Sequence, residues 1–266
     1  MANPAGSFIW YELMTADVAS AARFYEKVMG WKVSGGVTQS ASGTDYRMIG
    51  RDDGGHAGGI MQISADMAAS GTKPTWLGYV CTPDVDAAAA AIKADGGAVP
   101  MGPVDIAAGR IAMVCDPTGA PFYIMNPIPP ADKKDATSDV YDRKAVQRVS
   151  WNELSTSDLD RAKAFYAKHF GFKFEHEMDM GKRGPYCFIE HAGQEIGAMM
   201  RRPEAGSSSW NFAFRTKGTI GAVQRAVEDN GGKIIVPPHE VPGGDYIVIC
   251  DDPQGVRVTF LGTPGN

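Results

Sequence analysis

An internal repeat constrains this sequence more than any other feature. Residues 8–33 and 149–174 are identical at 11 of 26 aligned positions, where average residue usage would give about one or two by chance. Later parts of the two halves also agree, because a D-P-x-G motif follows a Gly-Gly pair in each, at Asp116 and, after a one-residue insertion, at Asp252. The chain is therefore predicted to consist of two similar halves.

Each half divides again into two quarters with the same order of secondary-structure signals. In the first quarter, residues 10–13 are predicted to form a strand, Asp17 to cap a helix with apolar residues at helical spacing, and Gly30 to end that helix. Short extended segments punctuated by glycine follow. We interpret the glycine cluster within residues 54–59 as a hairpin loop. The sequence thus predicts an α+β fold of four βαβββ units.

A linker is predicted between the halves. Residues 126–130 are rich in proline and residues 131–144 are charged and rich in Ser and Asp, a composition unsuited to helix and sheet interiors. We predict an N-terminal domain over residues 1–130, a linker over 131–147 and a C-terminal domain over 148–266. One βαβββ unit alone leaves an open sheet edge, so we expect the units to pair within each half. The assembly is expected to be a monomer of two domains or a homodimer.

Charge and composition exclude several classes of partner. The net charge is −5 and Lys and Arg are not clustered, which argues against nucleic acid as a partner. Apolar runs are far shorter than the ~20 residues that cross a bilayer, and residues 1–7 lack the features of a secretory signal. We therefore expect a cytoplasmic protein that does not bind membranes. The four scattered cysteines are predicted to be reduced core residues.

The recurring motifs resemble those of a known family. A W-x-E-L-x-T-x-D strand leads into a helix containing F-Y, and a Gly-Gly helix end and a D-P-x-G turn follow. This combination resembles the vicinal oxygen chelate superfamily of glyoxalase I, extradiol dioxygenases and bleomycin-resistance proteins. The resemblance covers nearly all of the chain outside the linker. It implies that the βαβββ units pair into two glyoxalase-like domains, each a curved sheet enclosing a cup that binds a small-molecule ligand.

The resemblance also implies where a divalent metal would be held. The family positions for metal ligands are occupied here by Trp10, Leu77, Tyr123, Trp151, Asn211 and Thr259. None of these residues supplies the imidazole, thiolate or carboxylate donors that divalent ions prefer. We therefore expect neither metal nor other cofactor. The alternative is a metal-dependent lyase or dioxygenase that uses non-standard ligands.

The first strand of each half carries the motif W-x-E. Residues two apart on a strand face the same side, so Trp10 lies beside Glu12 and Trp151 beside Glu153. An aromatic wall next to a carboxylate is typical of a small-molecule site, and partial burial would raise the pKa of the glutamate towards that of a general base. We hypothesise a small organic metabolite as ligand, with Glu12 and Glu153 as candidate catalytic residues of a binding module or a metal-free enzyme. The alternative is that each Glu only accepts hydrogen bonds that hold the sheet together.

Four further residues are candidate ligand contacts. Tyr46 and Tyr186 occupy matching strand positions and could line the two cups, although packing is the alternative. Tyr123 lies at a family ligand position. Arg110 follows a glycine at a strand start and could bind a substrate carboxylate or form a salt bridge within the protein.

Overall fold

A computed structural model describes residues 3–35, 38–39, 44–129, 131, 135–202 and 207–265. The elements of the first quarter are β1 (Phe8–Thr15), α1 (Val18–Met29), β2 (Lys32–Val33), β3 (Thr38–Gln39), β4 (Asp45–Gly50), β5 (His56–Gln62) and α2 (Ala65–Ala69). Those of the second quarter are β6 (Thr75–Cys81), α3 (Val85–Ala94), β7 (Ala98–Ile106), β8 (Gly109–Cys115) and β9 (Pro121–Pro127).

The second half repeats this order. The elements of the third quarter are β10 (Val149–Thr156), α4 (Leu159–Phe170), β11 (Glu177–Asp179), a short 3-10 helix (Gly181–Arg183), β12 (Pro185–His191) and β13 (Gln194–Arg201). Those of the fourth are β14 (Ser209–Thr219), α5 (Ile220–Asp229), β15 (Lys233–Glu240), β16 (Tyr246–Asp251) and β17 (Arg257–Thr263). Within the described residues, no helix combines the length and apolar character that a membrane span requires.

The strands form two mixed sheets, with β1–β9 in one and β10–β17 in the other. In every quarter the first strand pairs in parallel with the last, as β1 does with β5 and β10 with β13. The strands between them pair antiparallel with their neighbours. The predicted α+β fold with four βαβββ units is confirmed.

The predicted ends of the first helix are also confirmed. The Asp17 side chain accepts a hydrogen bond from the Ser20 N–H at 2.9 Å, and Gly30 adopts a left-handed conformation with φ of 67°. Asp158 and Gly171 have the same roles at the ends of α4. An acidic cap satisfies free N–H groups at a helix start, and glycine adopts the left-handed cap at no steric cost.

Packing divides the chain into two compact bodies. The first body contains residues 1–10, 77–141 and 151–210, and the second contains residues 11–76, 142–150 and 211–266. Each has a core rich in aromatic side chains, in which Tyr166 stacks on Phe172 in the first body and Tyr25 on Trp31 in the second. The domain boundaries drawn from the sequence remain a prediction.

A buried tyrosine and tryptophan recur in both cores. In the second body the Trp76 Nε1–H donates to the Tyr25 hydroxyl at 2.9 Å, and Tyr25 donates to Asp252 Oδ2 at 3.1 Å. In the first body the Trp210 Nε1–H donates to the Tyr166 hydroxyl at 2.9 Å. Burial raises the pKa of both phenols well above the usual value, so both stay neutral donors and acceptors. The D-P-x-G aspartate Asp252 is thus part of the core.

One residue of the predicted linker is firmly bound to the second body. Gln147 is 2% exposed, and its side chain donates to the carbonyls of Met29 and Gly30 and accepts from the Asp52 N–H. The Gln147 carbonyl accepts a hydrogen bond from the Trp31 Nε1–H at 3.1 Å. Its φ of 63° is left-handed, which is uncommon for a residue other than glycine. Gln147 therefore caps the end of α1, which the composition of the linker did not predict.

The interpretation of residues 54–59 as a hairpin loop is wrong for its second half. Gly54 and Gly55 lie in the turn after β4, but Gly58 and Gly59 are strand residues of β5. A Cβ at Gly58 would overlap the carbonyl oxygen of Tyr11, and one at Gly59 would overlap a tyrosine hydroxyl. Glycine within a strand marks such a close approach, and the sequence read in isolation does not separate this from a turn.

The cysteines carry free thiols, as predicted. Cys81, Cys187 and Cys250 are buried and Cys115 is half-buried. Burial raises the pKa of Cys250 to about 12. These thiols are therefore protonated at neutral pH and pack as small apolar groups.

Candidate functional site

The W-x-E motif of β10 lies on a partly exposed face of its sheet. Exposure alternates along the strand, because Trp151 and Glu153 are half-buried whereas Asn152 and Leu154 are buried. The same alternation continues on β12, where Tyr186 and Phe188 are half-buried and the residues between and beyond them are buried. Alternate residues of a strand face opposite sides, so β10 and β12, which lie on either side of β13 in the sheet, each place half-buried aromatic side chains on the face that carries Glu153.

Three of the predicted site residues form one hydrogen-bond chain. The Trp151 Nε1–H donates to the Tyr186 hydroxyl at 2.8 Å, and that hydroxyl donates to Glu153 Oε2, also at 2.8 Å. Glu153 Oε1 receives no hydrogen bond from any residue in the described part of the chain. The chain therefore fixes one carboxylate oxygen and leaves the other able to accept a hydrogen bond from a ligand.

The surroundings of Glu153 shift its acidity. Burial raises the pKa of Glu153 above its ordinary value, and this effect outweighs the Tyr186 hydrogen bond and the positive charge of Arg183, which both lower the pKa. Burial and the neighbouring Glu153 charge raise the pKa of Tyr186 well above the usual value. The phenol therefore stays protonated and keeps donating, while Glu153 is a stronger base than an exposed glutamate.

An aromatic residue that the sequence analysis missed completes this cluster. The Phe188 ring lies edge-on to Trp151, with centroids 6.1 Å apart, and to Tyr186, at 5.6 Å. We define the Glu153 site as Trp151, Glu153, Tyr186 and Phe188. Because Phe188 lies two residues after Tyr186 on one strand, the period of two could have identified it.

The matching residues of the N-terminal half are placed differently. Glu12 is only 2% exposed, and Trp10 and Tyr46 are half-buried. The Cα partner of Glu12 across the parallel pair is Gly59, and the Tyr46 hydroxyl lies against Gly59. The carboxylate of Glu12 is therefore enclosed by protein, unlike that of Glu153.

Tyr123 and Arg110 contact other residues. The Tyr123 ring stacks on Tyr79 with centroids 4.3 Å apart. Arg110 forms ion pairs with Asp86 at 2.6 Å and with Asp105 at 2.9 Å. These pairs correspond to the salt bridge that the sequence analysis left open as an alternative to a substrate contact.

The residues at the family metal positions do not fit a divalent ion. Leu77 is fully buried and apolar, and the Asn211 amide donates to the Thr259 hydroxyl at 2.8 Å. Across the described residues, no group of three or more His, Cys, Asp or Glu side chains is arranged to hold a metal. An indole, a phenol, an amide and a hydroxyl are poor ligands for zinc, iron or manganese.

Two proteins similar in sequence have informative names. The chain is 28% identical over 254 residues to "Putative glyoxylase CFP32" of Mycobacterium tuberculosis (strain CDC 1551 / Oshkosh), covering 95% of this chain and 93% of the relative. It is 27% identical over 274 residues to "Anthracycline biosynthesis protein DnrV" of Streptomyces peucetius, covering 96% of this chain and 93% of that relative.

Two solved structures share the fold. The Mn(II)-bound glyoxalase from Novosphingobium aromaticivorans aligns with a TM-score of 0.65 and 16% identity, over 98% of this chain and 83% of that one. The 2,3-dioxygenase LapB from Pseudomonas sp. KL28 aligns with a TM-score of 0.62 and 13% identity, over 99% of this chain and 94% of that one.

The family itself is shown by a sequence model that matches both halves. Residues 7–124 and residues 148–260 each match the Glyoxalase/Bleomycin resistance protein/Dioxygenase superfamily. These two segments include all four W-x-E and D-P-x-G motifs from which the resemblance was drawn. The chain belongs to the glyoxalase/bleomycin resistance protein/dioxygenase superfamily.

Proposed function

We propose that this protein binds a small organic molecule at the Glu153 site without the help of a divalent metal. The observation that carries the proposal is the hydrogen-bond chain from Trp151 through Tyr186 to Glu153 Oε2, which leaves Oε1 as an acceptor. A carboxylate beside three aromatic rings suits a ligand with an apolar or aromatic body and an O–H or N–H donor.

The site also supports proton transfer. The raised pKa of Glu153 makes the carboxylate a better proton acceptor, and the Tyr186 hydrogen bond holds it in one orientation. A ligand with an acidic O–H would transfer that proton to Glu153 Oε1 and keep the electron pair on its own oxygen. The site thus supports a metal-independent base reaction as well as simple binding.

The relatives support an oxygenated organic ligand. One relative is named a putative glyoxylase and another an anthracycline biosynthesis protein. Carbonyl compounds and hydroxylated aromatic compounds are therefore the two classes to screen first. The aromatic rings of Trp151, Tyr186 and Phe188 favour the second class.

We expect Glu153→Gln to weaken binding of compounds from such a screen by about 10- to 100-fold, because a charge-assisted hydrogen bond is lost while the side-chain shape is kept. A thermal-shift screen would identify the compounds and calorimetric titration would give their affinities. Glu190→Gln, on the same strand as Tyr186, is the matched control and should bind as the parent protein does. If Glu153→Gln lowers the melting temperature but binds every compound unchanged, the carboxylate is structural and the proposal is wrong.

The pH dependence of ligand affinity, measured by the same titration, is a second test of the role of Glu153. Glu153 accepts the ligand donor only when ionised, so affinity should fall as the pH is lowered through its pKa, with a midpoint above that of an ordinary glutamate. Tyr186→Phe removes a hydrogen bond that lowers this pKa, so the midpoint should move to higher pH. A midpoint that Tyr186→Phe leaves in place, or moves to lower pH, would contradict the role given to Glu153.

A further inference from the structure

A cavity of about 220 Å³ lies in the first body, on the other face of β10 from the Glu153 site. Residues 3–8, residues 137–141 and the hairpin of β12 and β13 line it, and β10 contributes Asn152. Because Asn152 and Glu153 are neighbours on one strand, their side chains face opposite sides of the sheet. We call this pocket the His191 cavity. The hydrogen-bonding side chains that line it include Ser7, Thr137, Ser138, Tyr141, His191 and Gln194.

Hydrogen bonds hold the walls of the His191 cavity together. The Ser138 N–H donates to Asn3 Oδ1 at 2.7 Å, and the Ser138 hydroxyl donates to the Ile9 carbonyl at 2.6 Å. The Tyr141 hydroxyl donates to the Glu195 carbonyl at 3.3 Å. This part of the predicted linker is therefore bound both to the N-terminal segment and to β13, so that the cavity has fixed walls.

Ser7 and His191 form a hydrogen-bonded pair in the lining of the cavity. Ser7 Oγ lies 3.3 Å from His191 Nε2, and neither side chain has another hydrogen-bond partner among the residues that the structure describes. If Ser7 donates, the ring keeps an N–H donor and the hydroxyl keeps a lone pair. If the ring donates, the hydroxyl keeps its O–H and the ring keeps a lone pair. In both tautomers the pair leaves one donor and one acceptor unused.

The His191 cavity has no charge to offer a ligand. Within the described part of the chain, none of the residues that line it is Lys, Arg, Asp or Glu. Burial lowers the pKa of His191, so the imidazole is neutral at pH 7. A charged ligand would therefore lose its hydration without gaining a partner of opposite charge, which is costly. A hydroxyl group on a ligand has no such cost and matches the lining, because it both donates and accepts.

We propose that the His191 cavity binds a small uncharged polyol, such as a monosaccharide or a cyclitol. The volume of about 220 Å³ is below the ~300 Å³ at which sites for drug-sized ligands begin, so it suits a ligand of this size. Thr137 and Gln194 supply a further hydroxyl and an amide, and both residues are exposed to an incoming ligand. The proposal goes beyond the function proposed for the Glu153 site and does not rest on it.

NMR of protein labelled with ¹³C-histidine tests the proposal, because the His191 ring lies in the lining. The probes are D-glucose and myo-inositol, and the His191 signal is identified by its loss in His191→Gln. We expect at least one probe to shift the His191 signal in a saturable titration. The signal of His239, an exposed residue of the second body, should stay in place. A His191 signal that neither probe moves would overturn the proposal.

Ser7→Ala tests the site while keeping the His191 ring as the reporter. We expect it to weaken binding of the probe about tenfold, because a hydrogen bond is lost and the partner group is left unpaired. Ser70→Ala removes an exposed hydroxyl of the second body and is the matched control, which should bind as the parent protein does. If Ser7→Ala does not fold, Gln194→Ala takes its place, with an expected loss of about threefold. An unchanged dissociation constant in the folded variant would contradict the proposal.

The charge of the probe tests the class of ligand. The charged counterparts of the probes, D-glucuronate and myo-inositol phosphate, should bind at least about tenfold more weakly, since no cation in the lining pairs with them. Charged and uncharged probes that bind equally well would show that the cavity does not select a neutral polyol.

The Glu153→Gln protein distinguishes this site from the Glu153 site. If this substitution abolishes the polyol titration, the polyol binds at the Glu153 site, and the proposal about the His191 cavity is wrong while the proposed function stands. If the titration is unchanged in Glu153→Gln and no compound binds at the Glu153 site, the proposed function fails and the His191 cavity remains a polyol site.

Discussion

Replacing Gln147 by alanine is expected to lower the free energy of unfolding by about 3 kcal/mol. The amide donates to the Gly30 carbonyl at 2.8 Å and the Met29 carbonyl at 3.3 Å, and accepts from the Asp52 N–H at 2.9 Å. Alanine makes none of these hydrogen bonds. The two carbonyls and the N–H group that lose their partner lie in a buried part of the second body, where water does not readily take the place of the amide. Urea unfolding followed by circular dichroism measures the change.

Two comparisons separate the lost hydrogen bonds from other effects. Gln147→Gly also removes the amide but relieves the left-handed φ of 63°, so it should be about 1 kcal/mol more stable than Gln147→Ala. Gln224→Ala removes a half-buried glutamine whose side chain donates to Glu228 on the same helix, and should cost about 0.5 kcal/mol or less. A Gln147→Ala protein as stable as Gln224→Ala would show that this residue does not hold the end of α1.

Asp252→Ala is expected to cost about 4 kcal/mol. Asp252 is 3% exposed, and its Oδ1 accepts the N–H groups of Gln254 and Val256 at 2.8 and 2.9 Å, while Oδ2 accepts the Tyr25 hydroxyl. The substitution leaves two backbone donors and a buried phenol without this acceptor. Thermal and urea unfolding of the purified variant measure the loss.

The charge of Asp252 and its hydrogen bonds affect stability separately, and Asp252→Asn is the control that distinguishes them. Burial raises the pKa of Asp252 in the folded state, so the folded state binds the proton more tightly than the unfolded chain does. The stability gained from this protonation is complete below the pKa of Asp252 in the unfolded chain. It is lost as the pH rises through the pKa of Asp252 in the folded protein. Asp252→Asn keeps the Oδ1 acceptor without the buried charge, so it should cost less than Asp252→Ala at neutral pH. An Asp252→Ala protein as stable as the parent would contradict a structural role for the D-P-x-G turn that begins at Asp252.

The regular elements were predictable because their signals are local. Asp17 and Gly30 delimit α1 through groups within one turn of helix, and Asp158 and Gly171 delimit α4 in the same way. The pairing of Trp151 with Glu153 on one face followed from the period of two along a strand. The D-P-x-G motif was visible as a repeat, although its contact with Tyr25 was not.

The remaining features depend on contacts between residues far apart in sequence. Gln147 lies in a segment with the composition of a linker, and its role depends on carbonyls of α1 more than 100 positions earlier. Gly59 resembles a loop residue until the ring of Tyr46 is placed over it. The difference in exposure between Glu12 and Glu153 cannot be read from the W-x-E motif that both share, because burial depends on residues that pack on each carboxylate from elsewhere in the chain.

The central claim is that the Glu153 site acts without a divalent metal, and metal analysis tests it most directly. The protein would be dialysed against chelator, then incubated with zinc, manganese, nickel or iron(II), passed through a desalting column and analysed for metal, with its melting temperature recorded in parallel. The residues at the family metal positions, among them Trp151 and Leu77, predict that no ion is retained in stoichiometric amount and that the melting temperature does not change. One ion retained per chain, with a raised melting temperature, would contradict the account and favour a metal-dependent lyase or dioxygenase with non-standard ligands.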